Sequence, residues 1–573
     1  MKKLGMKLPS PTLLAGAMAV LLTACALGPL QPDRQARAPE LPGFGQLSVP
    51  ITTRVTAAQR WFTQGVLQAY AFNEIEAVRM FKAALAQDPR CALCAWGVAW
   101  QLGPNINNPS RRGVNEALRY LDLALLHAGP ASGREKALIQ ALALRYGHVS
   151  EAQAARQMAP LLAERCGAKG ENEAADPLDL AYAERLRSLV EQDPLDPELL
   201  SLWAEAEMVA TRSAWWDGKT GKAGGRIGEV ATALERGLAA QPQHIGMNHY
   251  LIHAVDARGV AQRAVAAADR LGALAPASPH LVHMASHTYG HVGRYADAAR
   301  VNEQAVAVDL SLAQTLQAQG FSNTKDWRNH NQHYLWFAAL MQGRGDVAVE
   351  AAREIALRAG KADFIYAEYR RALPALALLR LQRWDALLAE PLPASRHGLG
   401  QALGEQARGV ALARTGRLAE ARAALANAQA GSAQVATALT GPRGFDRLLR
   451  DMAGSAVDRL RAEIAFAEGR HADAFRLQAQ SVTAADSADD SEPPMLAAGA
   501  RIALGDLQLR AGRAVLAEQT FREDLVRMPA NGWALNGLDR ALRAQGRVVD
   551  AEALKPLLTQ AWAQADADVL TAR

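Results

Sequence analysis

Nine of the 13 histidines in this 573-residue chain lie between His244 and His333, and their spacing is that of ligands. His249 and His253 are four residues apart, His280, His283 and His287 three and then four apart, and His330 and His333 three apart. On a helix, such intervals bring side chains to one face. Imidazole is the usual nitrogen donor for zinc, copper, nickel and iron, and three or four of them satisfy one ion. The spacing predicts a transition-metal site made by His249, His253, His283 and His287, with His280, His330 and His333 as additional or second-site ligands. Copper, zinc or iron is the expected ion. Should the centre be catalytic, six helix-borne imidazoles (His249, His253, His283, His287, His330 and His333) suit an oxidative copper or other dinuclear centre better than hydrolysis. Two other chemistries fit the same residues: a grip on an acidic peptide, and protonation near about pH 6.5. His244 and His291 are the weakest members of the group.

Other chemistry is scarce. No His-Glu-x-x-His supplies a zincin with its general base, and no Gly-x-Ser-x-Gly elbow, P-loop or dinucleotide fingerprint stands at a strand-to-helix turn. Whether the chain is an enzyme is left open at this level. Cys91-Ala-Leu-Cys94 reads most simply as a short disulfide in an exported protein, with Cys166 left odd. A redox or metal pair is the other reading. Haem attachment is excluded, because residue 95 is Ala and not His.

The elements that must carry these residues are repeats. With Ala58 as unit position 1, Trp61 falls at 4, Gly65 at 8, Ala77 at 20, Phe81 at 24, Ala84 at 27 and Pro89 at 32. Small residues at 8 and 20 let two antiparallel helices approach, large ones at 4 and 24 fill the gap between them, and proline ends the second helix. The register recurs from Ile245 (Gly259, Ala264, Pro276), Pro279 (Gly293, Ala298), Asn329 (Gly343, Ala348) and Ala498 (Gly505, Ala517, Phe521, Pro529), with a further unit from Gly532 and weaker ones near Ala402 and Ser455. Almost no segment alternates as a strand would. This pattern resembles the tetratricopeptide repeat (TPR), which implies an all-α solenoid whose first helices line a concave groove at positions 2, 5, 9, 12 and 13. Eight histidines then face the groove: His249 and His253 at 5 and 9, His280, His283, His287 and His291 at 2, 5, 9 and 13, and His330 and His333 at 2 and 5. Peptide-clamping TPRs usually carry Lys, Arg and Asn at 2, 5 and 9, so that particular clamp is disfavoured. Asn248-His-Tyr-Leu-Ile-His253, His280-Leu-Val-His-Met-Ala-Ser-His287, His330-Asn-Gln-His333 and Cys91-Ala-Leu-Cys-Ala-Trp-Gly97 with Gly103-Pro-Asn-Ile-Asn107 are similar to motifs of a bacterial TPR family. That likeness covers most of residues 58–350 and names no substrate. The loop with Asn105 and Asn107 is placed to close over the groove, though turn formation alone explains its composition.

The N-terminus reads as an address. Lys2, Lys3 and Lys7 precede an apolar stretch, Leu13 to Leu22, and Leu22-Thr23-Ala24-Cys25 resembles a lipobox, which implies cleavage before Cys25 and its lipidation. Ala26 favours outer over inner membrane. Residues 1–24 hold three lysines and no acid, so the formal charge falls from +5 to +2 in the mature chain, which gives no footprint for nucleic acid. The expected layout is signal peptide 1–24, lipidated cysteine and flexible tether 25–57, N-terminal TPR units with the Cys pair and Asn-rich loop 58–130, irregular helical repeats 131–244, histidine-lined units 245–360 and C-terminal TPR units 361–573. The whole is expected at the cell envelope, anchored by lipid and facing the periplasm, with a metal ion, or else an envelope protein or peptide, in the groove.

Overall fold

The computed structural model describes residues 30–571, apart from 110–113, 149–175, 213–214, 219, 323–324, 442–443, 488–490 and 496. The signal peptide, Cys25 and Cys166 lie outside the described residues. Helices joined by short turns make up nearly all the rest, and among the described residues the only β-features are two isolated bridges, Asn105 with Asn108 and Trp216 with Ala223. The chain is an all-α TPR solenoid. No helix among the described residues is long and apolar enough to cross a membrane.

The repeat signature works as its residue sizes require. In the first unit α1 (Thr56–Tyr70) and α2 (Glu74–Gln87) pack antiparallel and are followed by α3 (Ala92–Gln101). The Phe81 ring is wedged between two glycines: a Cβ on Gly65 or on Gly97 would come within 2.6 Å of it. The same wedge recurs near the other end, with Phe521 between Gly505 and Gly537. Cys91 and Cys94, at the start of α3, are joined by a disulfide, and the Cys91 sulfur also accepts the Cys94 amide at the helix cap.

The histidines ride on α4 (Ile245–Ala254), α5 (Pro279–Val292) and α7 (Arg328–Gln342), with α6 (Tyr295–Ala318) behind α5. Local signals set these helices. Ser278 caps α5 by accepting the Leu281 amide, Pro279 opens it, and Gly293 at φ 79° closes it. His244 is the cap of α4: its Nδ1 accepts the Met247 amide at 3.1 Å and its Nε2 meets Glu198 at 3.1 Å. Its role is structural.

The superhelix folds back on these units from both sides. At the N-terminal end, Tyr70 and Phe72 at the close of α1 reach His244, His249 and Tyr250 on and before α4. At the C-terminal end, the helix Gly532–Ala544 returns to α7, where Trp533 donates from its indole to the Leu340 carbonyl at 2.7 Å. A large apolar core includes residues from Leu41 to Val569, and a smaller separate one surrounds Phe521 in the C-terminal units.

The segment expected to be a flexible tether differs from that expectation in its later part. Leu41, Phe44 and Val49 are buried, the Gly43 carbonyl accepts the Ala277 amide at 3.0 Å, and Thr52 is held by Glu135. Its prolines rule out a helix, but three spaced apolar side chains suffice to bind an extended strap across the repeats.

Candidate metal centre

Six imidazoles converge in two triads of identical construction. Positions 5 and 9 of one unit combine with position 2 of the next: His249, His253 and His280 form triad A, and His283, His287 and His330 form triad B. Within each triad the candidate ligand atoms all lie within 4.8 Å of one another. The closest approaches are His249 Nε2 to His280 Nε2 at 3.1 Å and His283 Nε2 to His287 Nε2 at 3.0 Å. Zinc–nitrogen bonds of about 2.0–2.1 Å in tetrahedral geometry need nitrogens roughly 3.3 Å apart, so these pairs already match the bite of one ion. The triads adjoin, with His253 and His287 ring centres 6.0 Å apart and His280 and His283 6.3 Å apart.

This partition corrects the expected one, which joined His249, His253, His283 and His287 in one site. The next first helix meets its predecessor through its own N-terminal turn, so position 2 completes the set. His333 joins neither triad. Its Nε2 lies 2.8 Å from the Tyr369 hydroxyl and its ring stacks on Trp336. His291 pairs instead with Asp256, at 3.1 Å.

The proton positions in triad B follow from its neighbours. Asn302 donates its side-chain amide to the Ala298 carbonyl at 2.7 Å, which turns its oxygen toward His283 Nδ1, 2.6 Å away. His287 Nδ1 lies 2.7 Å from the Asp256 carboxylate, which the charges of His287 and His291 hold well below the usual carboxylate range in spite of burial. Both acceptors require N–H at Nδ1. With both rings neutral, each Nε2 is then left with its lone pair and the two face each other at 3.0 Å. That contact is repulsive unless a proton or a cation stands between them. The partners Asn302 and Asp256 are also the kind of outer support that orients a metal-bound imidazole. In triad A, by contrast, Nδ1 of His280 and Nε2 of His253 have no hydrogen-bond partner among the described residues. Nδ1 of His249 makes no bond of acceptable geometry either, and the Tyr70 carbonyl beside it is only a weak counterweight to burial.

Burial, then mutual repulsion, keeps most of these rings neutral. His249, His280 and His283 are held well below the ordinary imidazole range, and His253 and His330 are pushed down to about 3. His333 is also lowered to about 3, by burial and then by Arg370. His287 goes the other way: burial opposes its charge, but Asp256 and then Glu492 outweigh it and raise the pKa. Neutral imidazole is the form that ligates metal.

Aromatic rings enclose the site. Phe72 lies against His249, His253 and His280 with ring centres 4.5, 5.5 and 5.0 Å away, and Trp327 stacks on the other face of His280 at 4.2 Å. Phe72 occupies unit position 15, where other units carry Gly259, Gly293 and Gly343, and it adopts their left-handed backbone with φ 50°. A residue with Cβ there is strained by about 1 kcal/mol or more, so packing of the ring over the histidines outweighs the strain. Phe72, Trp327, Asp256 and Asn302 were not anticipated from sequence. The one available signal was the missing glycine at position 15 of the first unit.

The remaining side opens to a cavity of about 360 Å³ whose wall includes His253, His280, His287, His330, His333 and Asn107. The Asn-rich loop thus reaches the site, braced by Asn105 on Glu74 at 3.0 Å. Lys325 and Arg370 also face this cavity. Three nitrogens per ion, with open positions directed at a cavity, would allow a small molecule or water to complete the coordination.

No protein-family model matches the chain, and no curated protein matches it. Among solved structures, the TPR domain of P58(IPK) aligns over 86% of this chain and 98% of its own at 10% identity, with a TM-score of 0.21. Yeast Tom70 aligns over 90% and 96% at 10% identity with a TM-score of 0.24, and human IFIT1, as a dimer with m7Gppp-AAAA, over 82% and 90% at 12% identity with 0.25. At scores this low these alignments carry no argument about this chain.

Proposed function

We propose that this protein holds transition-metal ions at its two histidine triads, on a solenoid carried at the envelope membrane by a lipid on Cys25. The observation that carries the reading is the approach of the His283 and His287 Nε2 atoms to 3.0 Å, with each ring oriented by an acceptor on its far nitrogen. Triad B is the tighter site, because its ligands are oriented before the ion arrives, whereas triad A must settle its tautomers on binding. Copper and zinc fit three imidazoles with an open position; iron ranks behind them, because its open facial sites include a carboxylate. A scaffold that binds a peptide or envelope protein without metal is the second reading; Lys325 and Arg370 line the cavity together with Asp326 and Glu492.

Calorimetric titration of the mature protein with copper and zinc separates the two. The expected result is one tight and one weaker ion per chain. In the metal-free protein a single bridging proton between His283 and His287 relieves their contact, so tight binding should release about one proton and strengthen with pH until His287 is neutral. His283→Gln with His287→Gln should remove the tight site and leave the weaker one. No binding tighter than about 10 μM, roughly −6.8 kcal/mol, overturns the metal reading and leaves the scaffold.

A further inference from the structure

A second cavity lies in the C-terminal units, with Trp336 and Tyr369 in its wall. The cavity sits between α8 (Ile365–Arg380), α9 (Gly444–Ala467) and their neighbours, and its lining is of two kinds. One part is apolar, including Leu376, Leu403 and Met452; the other supplies hydrogen-bond donors, and no Asp or Glu lines it. Arg380 Nη2, Arg459 Nε and Gln406 Nε2 are all buried and without a hydrogen-bond partner among the described residues. The Ser455 and Ser481 hydroxyls contact each other at 2.6 Å, which uses one of their two protons and leaves the other to donate.

The two arginines converge. A Cβ placed on Gly499 would lie 3.7 Å from Arg459 Nη1 and 3.9 Å from Arg380 Cδ. The acids around them act on their charge but make their hydrogen bonds and close ion pairs to other groups. Glu463 and Asp506 are held by Arg414 and Arg510, and Asp524 accepts the Asn531 amide at 2.7 Å. Arg380 lies over the Trp533 ring, 4.7 Å away, with the Asp524 carboxylate also acting on its charge. Burial first pulls Arg380 down to about 9, Asp524 acts against that shift, and Arg459 opposes its charge; a guanidinium stays protonated at neutral pH. Buried guanidinium donors such as Arg380 Nη2 and Arg459 Nε, left without an acceptor, are destabilising and are ordinarily paired.

We infer that this cavity binds a small organic carboxylate, its head held by Arg380, Arg459 and Gln406 and its body lying along Leu376, Leu403 and Met452. Arginine's planar fork fits carboxylate in particular. Size narrows the class. The interior is about 90 Å³, and with about 10–15 Å³ per water-sized group that accommodates roughly six to nine non-hydrogen atoms. A six-carbon monocarboxylate has this bulk. The site is independent of the histidine triads, since none of their residues lines it.

The test is thermal melting and calorimetry of the mature protein, stripped of metal with chelator, against hexanoate, hexanol and hexylammonium. Hexanoate should bind with Kd below about 1 mM and raise Tm, and the alcohol and the ammonium should do neither. Arg380→Leu with Arg459→Leu should bind hexanoate at least tenfold more weakly. Gly499→Glu offers a carboxylate from within; it should raise Tm and block hexanoate. Failure of hexanoate to bind the parent overturns the inference, as does equal binding by the double variant, or equal binding of hexanol. Should the double variant fail to fold, the glutamate variant and the three-ligand comparison decide the matter alone.

Discussion

Acidification should unfold this protein well above the pH at which ordinary carboxylates titrate. In the unfolded chain an imidazole takes its proton near about pH 6.5, whereas His253, His330 and His333 in the fold resist protonation down to about 3. Between these values the unfolded state binds more protons than the folded one, so stability falls as pH falls. At about pH 5 the gap is about 1.5 units, which at about 1.4 kcal/mol per unit is about 2 kcal/mol per residue and about 6 kcal/mol for the three. His330 is half-buried, so its share is the smallest. His249, His280 and His283 shift in the same direction and add to the loss. His287 has the opposite sign: its raised pKa contributes stability that is fully present below 6.5 and lost as pH rises through its folded value, so it does not soften the acid limb. Typical domains have about 5–15 kcal/mol in total, so about pH 5 removes most of it. Urea melts followed by tryptophan fluorescence report on the site directly, because Trp215, Trp327 and Trp336 touch His253, His280 and His333. A variant with Gln at 253, 330 and 333 should show a much flatter dependence, and zinc should move the parent's acid midpoint downward. Stability at about pH 5 within about 1 kcal/mol of that at about pH 7.5 would refute the reasoning, because a linkage of this size cannot be hidden.

Two further outcomes are expected. Phe72→Ala removes a ring that is 1% exposed and should cost about 3–5 kcal/mol, while Phe72→Gly should cost about 1 kcal/mol less because the left-handed backbone is relaxed; a glycine variant less stable than the alanine one in urea would exclude strain at this residue. Cys25→Ala should move the protein from the membrane fraction to the soluble periplasm, and unchanged fractionation would sink the lipid anchor.

The fold was legible because size alternation at a fixed period leaves little choice. Gly65 beside Phe81, and Gly505 beside Phe521, are compatible with two helices in van der Waals contact and with little else. The superhelical path was not legible. Nothing local in Trp533 announces the Leu340 carbonyl 193 residues away, and the apolar side chains of Leu41, Phe44 and Val49 are too widely spaced to give a periodic signal. Such contacts depend on small rotations accumulated over many repeats.

The site was legible as a set of residues and misgrouped as a geometry, and the reason is instructive. Spacing of four along one helix identifies pairs, so His249 with His253 and His283 with His287 were visible. The third ligand comes from the following helix, and the repeat itself fixes which one: position 2 of unit n+1 sits against positions 5 and 9 of unit n, as His280 and His330 both do. The same rule explains why His333 stands apart. It is at position 5 of its unit, but position 9 there is Phe337, which is buried and packs edge-on to Tyr295. Without a partner one turn on, His333 has no second imidazole to share an ion with, and it turns to Tyr369. Two consecutive units satisfy the rule, whereas the third has Phe337 at position 9 and is followed by a unit with no histidine at position 2, so among the described residues the repeat builds two histidine triads.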